Sequence, residues 1–466
     1  MNGTSDPDQQ PFIDGLTEQL LTRLSSSDAT ALRVVASALS TRHARSDRPV
    51  AEIARELEAD HVLRGSVTRT GDRVGVTVEL SHASDNRQVW QETYDRRVSD
   101  LVTLDSNISA AVSRALDVVP AVNNPAPAAK ARAVDPAAFD LYLRGVSHTL
   151  RTNDPDLDQA IALLEQSAAI DPAFQSTQAY LALAYGNKSA TYRPNEPIWE
   201  EKGFAAAQKA LLLDPDSPEA HYAQAIMLWR PSHAFPSKEA LAELRKALAV
   251  RQNFDEAWHQ YGFILMHVGH LDDGVRALER AVQINPRNTL ARFRFGPIRV
   301  YQLQFEEAIA ALNRVPPDTF PAQWTYQRAW ALLSLGRLDE ARTVIDRALV
   351  ENPVDQGGVL HSARGMLRAM AGDRSGAEAD IADAIRVGKS FLHFHHTAYA
   401  IGAIYTRLGN MDRAQEWIEN AANDGFPNFT YFEIDPHLER LRAVPRFRTF
   451  LAKLRQEWEH LPGESD

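Results

Sequence analysis

At 466 residues the chain is too long for one ordinary core, so two or three domains or an extended repeat array are expected. Its 44% apolar and 24% charged residues are those of a globular protein, and a net charge of −11 without a Lys/Arg-rich run argues against non-specific nucleic-acid or anionic-membrane binding. Cysteine is absent, which excludes disulfides, thiolate metal sites and cysteine nucleophiles.

Residues 1–10 are polar and acidic, without the basic and apolar regions of a secretory signal. No apolar run approaches the roughly 18 residues that span a bilayer, so a cytoplasmic chain without a membrane span is expected. Phe12, Ile13, Leu16, Leu20, Leu21 and Leu24 then recur at helical spacing, and Leu32, Val34 and Val35 predict a short strand. Val50, Ile53, Ala54 and Leu57 mark a second amphipathic helix. A hairpin follows, in which Leu63, Gly65 and Val67 share a face, Gly71-Asp72 turns, and Val74, Val76, Val78 and Leu80 alternate with polar residues. Residues 89–94 read as a third strand, and Leu101, Leu104, Ile108, Ala111, Val112 and Ala115 as a long helical stripe. Residues 1–117 therefore form a small α/β domain. The Ala/Pro-rich stretch 118–134 lacks apolar periodicity and reads as an extended linker.

From Asp135 every strong pattern is helical, and it repeats. The clearest unit has Trp258, Tyr261-Gly262, Leu265, Gly269, Leu271, Gly274, Leu278, Ala281 and Pro286, matching the tetratricopeptide pattern. Gly262 and Gly274 sit where two helices cross, Gly269 suits a left-handed C-cap, and Pro286 ends the second helix. The small residue of the second helix recurs at Ala160, Gly203, Ala240, Gly274, Ala308, Ala341, Ala377 and Ala414. After a first step of 43 the spacings run from 33 to 37, close to the repeat period of about 34. Insertions near 190–197 and 230–236 account for the irregular steps. The predicted fold is mainly α: a tetratricopeptide α-solenoid of about eight helix pairs over 135–424, behind the α/β domain. One pair cannot bury its apolar face alone, so the aromatic-rich region 425–466 is expected to cap the array.

Three stretches carry a family resemblance: "NGTSDPDQQPFIDGLTEQL" from Asn2, "GSVTRTGDRVGVTVEL" from Gly65 and "VWQETYDRRVSDL" from Val89. They resemble the TolB N-terminal-like domain, and "DGFPNFTYFEIDPHLERLRAVPRFRTFLAKL" from Asp424 is similar to the ending of proteins that join it to tetratricopeptide repeats. The resemblance implies a neighbouring signalling module: a class III adenylate or guanylate cyclase, a serine/threonine kinase, or a winged-helix DNA-binding domain. It also implies an apolar strand before Asn2, where Met1 stands, so an N-terminally incomplete form of a longer regulator is expected. A missing strand would leave an unpaired sheet edge and open a route to self-association.

Catalytic signatures are lacking: no P-loop, dinucleotide fingerprint, kinase loop, zinc-protease helix or nucleophile elbow occurs. No enzyme activity, cofactor or metal is therefore expected of this chain. His393, His395 and His396, with His361 and Asp383 upstream, form the most suggestive cluster. Adjacent helical histidines diverge by about 100°, and no acidic partner lies three or four residues on, which favours a structural role. Glu306-Glu307 and Asp339-Glu340 open second helices, where carboxylates complement the helix dipole.

The functional expectation rests on the inner face of the solenoid, formed by the first helix of each pair. Aligning on Gly262, Gly296, Ala329, Gly365 and Gly402 places His259, Phe263, Met266, Phe293, Tyr301, Tyr326, Trp330, Met366, Met370, Tyr399 and Arg407 inward. Such an aromatic, Met-rich groove suits a peptide or protein partner with apolar anchors. It lacks the inward Lys and Asn that clamp a terminal carboxylate. The sequence thus predicts a non-catalytic interaction scaffold that binds protein rather than nucleic acid. Its alternatives are the regulatory part of a cyclase or of a winged-helix transcription regulator.

Overall fold

The computed structural model describes residues 3, 6–25, 50–57, 59–116, 134–151, 153–286 and 288–461. The strand expected at 32–35 and most of the linker expected at 118–134 lie outside these residues. Two compact bodies divide the chain: Met1–Met227 with Arg245–Phe254 and Ile284–Pro286, and Leu228–Leu244 with Asp255–Gln283 and Arg287–Asp466.

The first body opens with α1 (Gln10–Ser25) and α2 (Val50–Leu57), then β1 (His61–Thr70), β2 (Arg73–His82) and β3 (Gln88–Arg97), and α3 (Leu104–Ala115). The strands form an antiparallel sheet in the order β1-β2-β3. Thr70 pairs with Arg73, so Gly71-Asp72 is a two-residue turn, and Gly71 at φ +63 takes the left-handed conformation such a turn demands. Val74, Val76, Val78 and Leu80 are all buried, as their alternation requires, against Phe12, Ile13, Leu104 and Ile108 of the helices. The first residues also reach the sheet, where the Gly3 N–H donates to the Val67 carbonyl at 2.8 Å. α1 packs on α4 (Pro136–Thr149), and a Cβ at Gly15 would strike the Leu143 carbonyl. Arg69 at the end of β1 also pairs with Asp140 of α4.

Helices then follow in pairs: α4 with α5 (Asp154–Ile170), α6 (Gln175–Asn187) with α7 (Pro197–Leu213), and α8 (Pro218–Leu228) with α9 (Ser237–Val250). The insertion expected near 190–197 is a π-helical turn, Lys188–Tyr192, that extends α6. It seats the buried Lys188 Nζ on Asp154 Oδ1 at 2.5 Å and Asp158 Oδ1 at 2.7 Å. Pairing continues in α10 (Asp255–Val268) with α11 (Leu271–Ile284), α12 (Thr289–Tyr301) with α13 (Phe305–Leu312), and α14 (Pro321–Ser334) with α15 (Leu338–Glu351). The last pairs are α16 (Val359–Met370) with α17 (Arg374–Gly388), and α18 (Phe394–Leu408) with α19 (Met411–Asn423). The described residues thus hold eight pairs, and the fold is a tetratricopeptide-type α-solenoid with a small three-stranded N-terminal domain.

Local chemistry sets the helix starts. Asn153, Asn288, Asp373 and Asn410 each cap a helix with a side-chain oxygen that accepts a backbone N–H. The crossings are as tight as the small residues imply. A Cβ at Gly262 would meet Leu278 Cγ at 2.9 Å, and one at Gly296 would meet Leu312 Cδ2 at 2.5 Å. Gly269 closes α10 at φ +88. After α19 come α20 (Phe429–Ile434), α21 (Glu439–Arg442) and α22 (Pro445–Glu459).

Candidate functional site

α10, α12, α14, α16 and α18 of the second body carry the eleven residues expected to line a groove. His259, Phe263, Met266, Phe293, Tyr301, Tyr326, Trp330, Met366 and Tyr399 are buried, Met370 is half-buried and Arg407 is exposed. The cover over many of them is the chain's own C-terminal segment. Phe426, fully buried, contacts Tyr301 at 5.3 Å and Tyr399 at 5.8 Å between ring centroids. Tyr431 lies 4.9 Å from Tyr301 and 5.1 Å from Tyr399, and its hydroxyl accepts the indole N–H of Trp330 at 3.2 Å. Phe432 stacks on Tyr399, at 5.7 Å and 5° between planes.

Polar contacts fix the register of this segment. The Asn428 side-chain amide donates to the Met266 carbonyl at 2.9 Å, while Thr430 Oγ1 donates to the Gly269 carbonyl at 2.8 Å. A Cβ on Gly269 would lie 2.8 Å from Thr430 Oγ1, so this glycine admits the segment as well as ending a helix. Further along, Ser334 Oγ lies 3.0 Å from His437 Nε2. The region expected as an end cap thus packs against inward-facing positions. Phe293 instead joins Leu312 and Val315 in a cluster between neighbouring helices.

The histidines are the second feature. His361 pairs with Asp355, Nδ1 to Oδ2 at 2.6 Å, and Asp383 accepts from Arg386, so neither joins the cluster expected around them. His393, His395 and His396 do come together, and α10 brings a fourth, His267. Ring centroids are 5.2 Å apart for His267–His395, 5.0 Å for His267–His396, 5.2 Å for His393–His395 and 4.5 Å for His395–His396. The adjacent pair approaches because both rings lie in the first turn of α18, with His393 as its N-cap. Trp229, Phe235, Phe263 and Phe426 pack around the four rings. Sequence spacing could not reveal His267, since only the fold carries α10 to α18.

Two tautomers follow from the hydrogen bonds. A carbonyl only accepts, so His267 Nδ1 donates to Phe263 O at 2.7 Å and His395 Nδ1 donates to Asp424 O at 2.7 Å. In the neutral rings both Nε2 atoms are then bare. His396 Nε2 lies 3.2 Å from His267 Nε2, and its Nδ1 lies 3.3 Å from the Tyr301 hydroxyl. His395 Nε2 and His393 Nδ1 are buried without a hydrogen-bond partner. Burial depresses the pKa of all four, His395 to about 4, so the cluster is uncharged at neutral pH. Burial also holds His259 down at about 3 and pushes Arg294 down to about 9, with the Arg294 guanidinium 3.7 Å over the Phe263 ring.

Comparison with known proteins corrects one expectation. The family described as HilA/YgeH-like transcriptional regulator, second domain, matches residues 5–112, so the N-terminal domain is HilA-like rather than TolB-like. The short stretches quoted for the TolB resemblance are hairpin and helix patterns that do not separate the two. Tetratricopeptide repeats match 255–288 and 395–423. A curated relative, "Putative adenylate cyclase 3" of Rhizobium meliloti (strain 1021), is 27% identical over 228 residues, covering 49% of this chain and 38% of that protein. The chain therefore spans well under half of the curated relative it matches.

Solved structures with similar folds include human IFIT1 with PPP-AAAA, at 18% identity and a TM-score of 0.43, covering 61% of this chain and 72% of that one. Yeast Tom70 has 16% identity and a TM-score of 0.38, covering 69% and 67%. Pseudomonas aeruginosa pilF has 20% identity and a TM-score of 0.36, covering 48% and 96%. Among the described residues no helix is long and apolar enough to cross a membrane. The comparisons thus leave a tetratricopeptide-repeat chain with a HilA-like N-terminal domain, similar over half its length to an adenylate cyclase relative.

Proposed function

We propose that this chain is a non-catalytic interaction scaffold or regulatory module of a bacterial signalling protein, and that its solenoid binds a protein or peptide partner. The observation that carries the reading is the repeat register: eight helix pairs, with tetratricopeptide matches at 255–288 and 395–423. The inner residues His259, Phe263, Met266, Phe293, Tyr301, Tyr326, Trp330, Met366, Met370, Tyr399 and Arg407 are proposed as the partner surface. Nine of them are buried, so a partner docks at the more accessible Met370 and Arg407. An aromatic tract of this chain already complements those rings, which supports a partner with aromatic anchors.

A photo-crosslinking residue placed at Met370 or Arg407 in the native host tests this. Specific protein adducts at both positions, and none at the exposed outer residue Arg347, are expected. Equal labelling at all three, or none at the inner pair, would sink the reading.

The Rhizobium relative favours a second reading, the regulatory part of an adenylate or guanylate cyclase. The HilA-like match favours a third, the regulatory part of a transcription regulator. In-frame translation upstream of Met1 separates them. A domain with paired metal-binding aspartates supports the cyclase, a winged helix with a basic recognition helix supports the regulator, and an immediate stop codon removes both.

A further inference from the structure

We propose that His267, His393 and His395, with His396 beside them, form a binding site for one divalent transition-metal ion, with Zn2+ the expected occupant. This goes beyond the scaffold reading and stands or falls separately from it. Ligand nitrogens of His267, His393 and His395 all lie within 4.8 Å of one another. A tetrahedral Zn–N length of about 2.0–2.1 Å sets paired ligand nitrogens roughly 3.3 Å apart. The His267 and His396 Nε2 atoms are at 3.2 Å, so His396 stands beside the three as a fourth imidazole.

The bonding around the rings is that of metal ligands. Such histidines characteristically give their second N–H to a carbonyl or carboxylate, which fixes the tautomer and aims the lone pair. His267 and His395 do this through Phe263 O and Asp424 O, and the His395 Nε2 lone pair is buried with nothing to accept. An orphaned buried acceptor is unfavourable, and a bound ion relieves it. His396 joins by a change of tautomer: Nε2 gives its proton up to the ion's place, Nδ1 takes one, and the Tyr301 oxygen becomes its acceptor. No net proton leaves the ring.

The donor set also selects the ion. Neutral imidazoles without a carboxylate suit zinc, copper, nickel or cobalt and exclude calcium and magnesium, which require oxygen. The Arg294 guanidinium stacks on Phe263, itself 4.4 Å from the His267 ring, and its charge opposes any cation there, so only ions that imidazoles hold tightly compete. His393 and His396, the half-buried members, provide the way in.

The test uses the full, tag-free chain after removal of bound metal by a chelator. Zn2+ is titrated against a chromophoric competitor, and Co2+ is added separately to read the coordination geometry from its visible absorption. The expected result is one ion per chain and a tetrahedral Co2+ spectrum, with affinity at least ~10-fold weaker in His393→Gln and His395→Gln. His460→Gln, an exposed histidine elsewhere, should bind as the parent does. If His395→Gln does not fold, the half-buried His393→Gln decides. Failure of the parent chain to take up either ion, or unchanged affinity in His393→Gln, overturns the proposal whatever the crosslinking shows.

Discussion

Desolvation of five histidines in one body makes proton uptake the chemistry that governs its stability. His259, His267, His393, His395 and His396 all have pKa values held below the ordinary histidine value by desolvation. The unfolded chain therefore binds more protons as pH falls through about 6.5, and stability that is complete well above that value drains away as pH falls toward the folded values, about 4 for His395. Each ring contributes a slope of up to ~1.4 kcal/mol per pH unit in that window. Urea midpoints of the metal-free chain at pH 7.5, 6.5 and 5.5 should fall modestly over the first interval and about three times as steeply over the second, before carboxylates titrate. His395→Gln should flatten the drop, and a midpoint unchanged to pH 5.5 would refute the buried, neutral cluster. The sequence displayed three of the four clustered histidines but not their meeting. Helical geometry argued that His395 and His396 diverge, and His267 comes from another helix altogether.

Helix crossings are where sequence and structure agree most closely, because one missing Cβ has a direct steric cause. Gly262 and Gly274 were legible as crossing points and Gly296, Gly365 and Gly402 as positions aligned with Gly262, and added atoms at the five would meet Leu278, Ile298, Leu312, Ile404 and Ile418. Gly296→Ala should destabilise the chain by about 1–3 kcal/mol through overpacking against Leu312. Gly336→Ala, at φ +73 with nothing within 4 Å, carries only the backbone cost, roughly 1–2 kcal/mol. Thermal denaturation of the two variants, with Gly296→Ala complemented by Leu312→Ala, separates the causes. Steric conflict predicts that the second substitution recovers part of the loss in Gly296→Ala, and strict additivity of the two losses would contradict it. The inner face was legible as a list of positions but not as a surface. Periodicity tells which side of a helix points inward, whereas the segment that covers it is a long-range partner with no periodic signal of its own.

For the chain as a whole, mainly α architecture and the repeat register could be read before any coordinates, since stacked pairs repeat the same apolar and small-residue pattern. The N-terminal family could not, because a short hairpin and two helices are shared by many domains, and the HilA-like match displaced the TolB-like expectation. The central claim is that residues 426–432 are an integral filling of the repeat interior rather than a loose end. Fully buried Phe426, Asn428 and Phe432, with the bonds from Asn428 to Met266 and from Trp330 to Tyr431, make that claim specific. Hydrogen exchange of the intact chain, followed by mass spectrometry, tests it most directly. Amides of the segment from Phe429 to Ile434 should exchange as slowly as those of the inner helix Asp255–Val268. Exchange at the rate of an unstructured peptide, while that helix stays protected, would contradict the account.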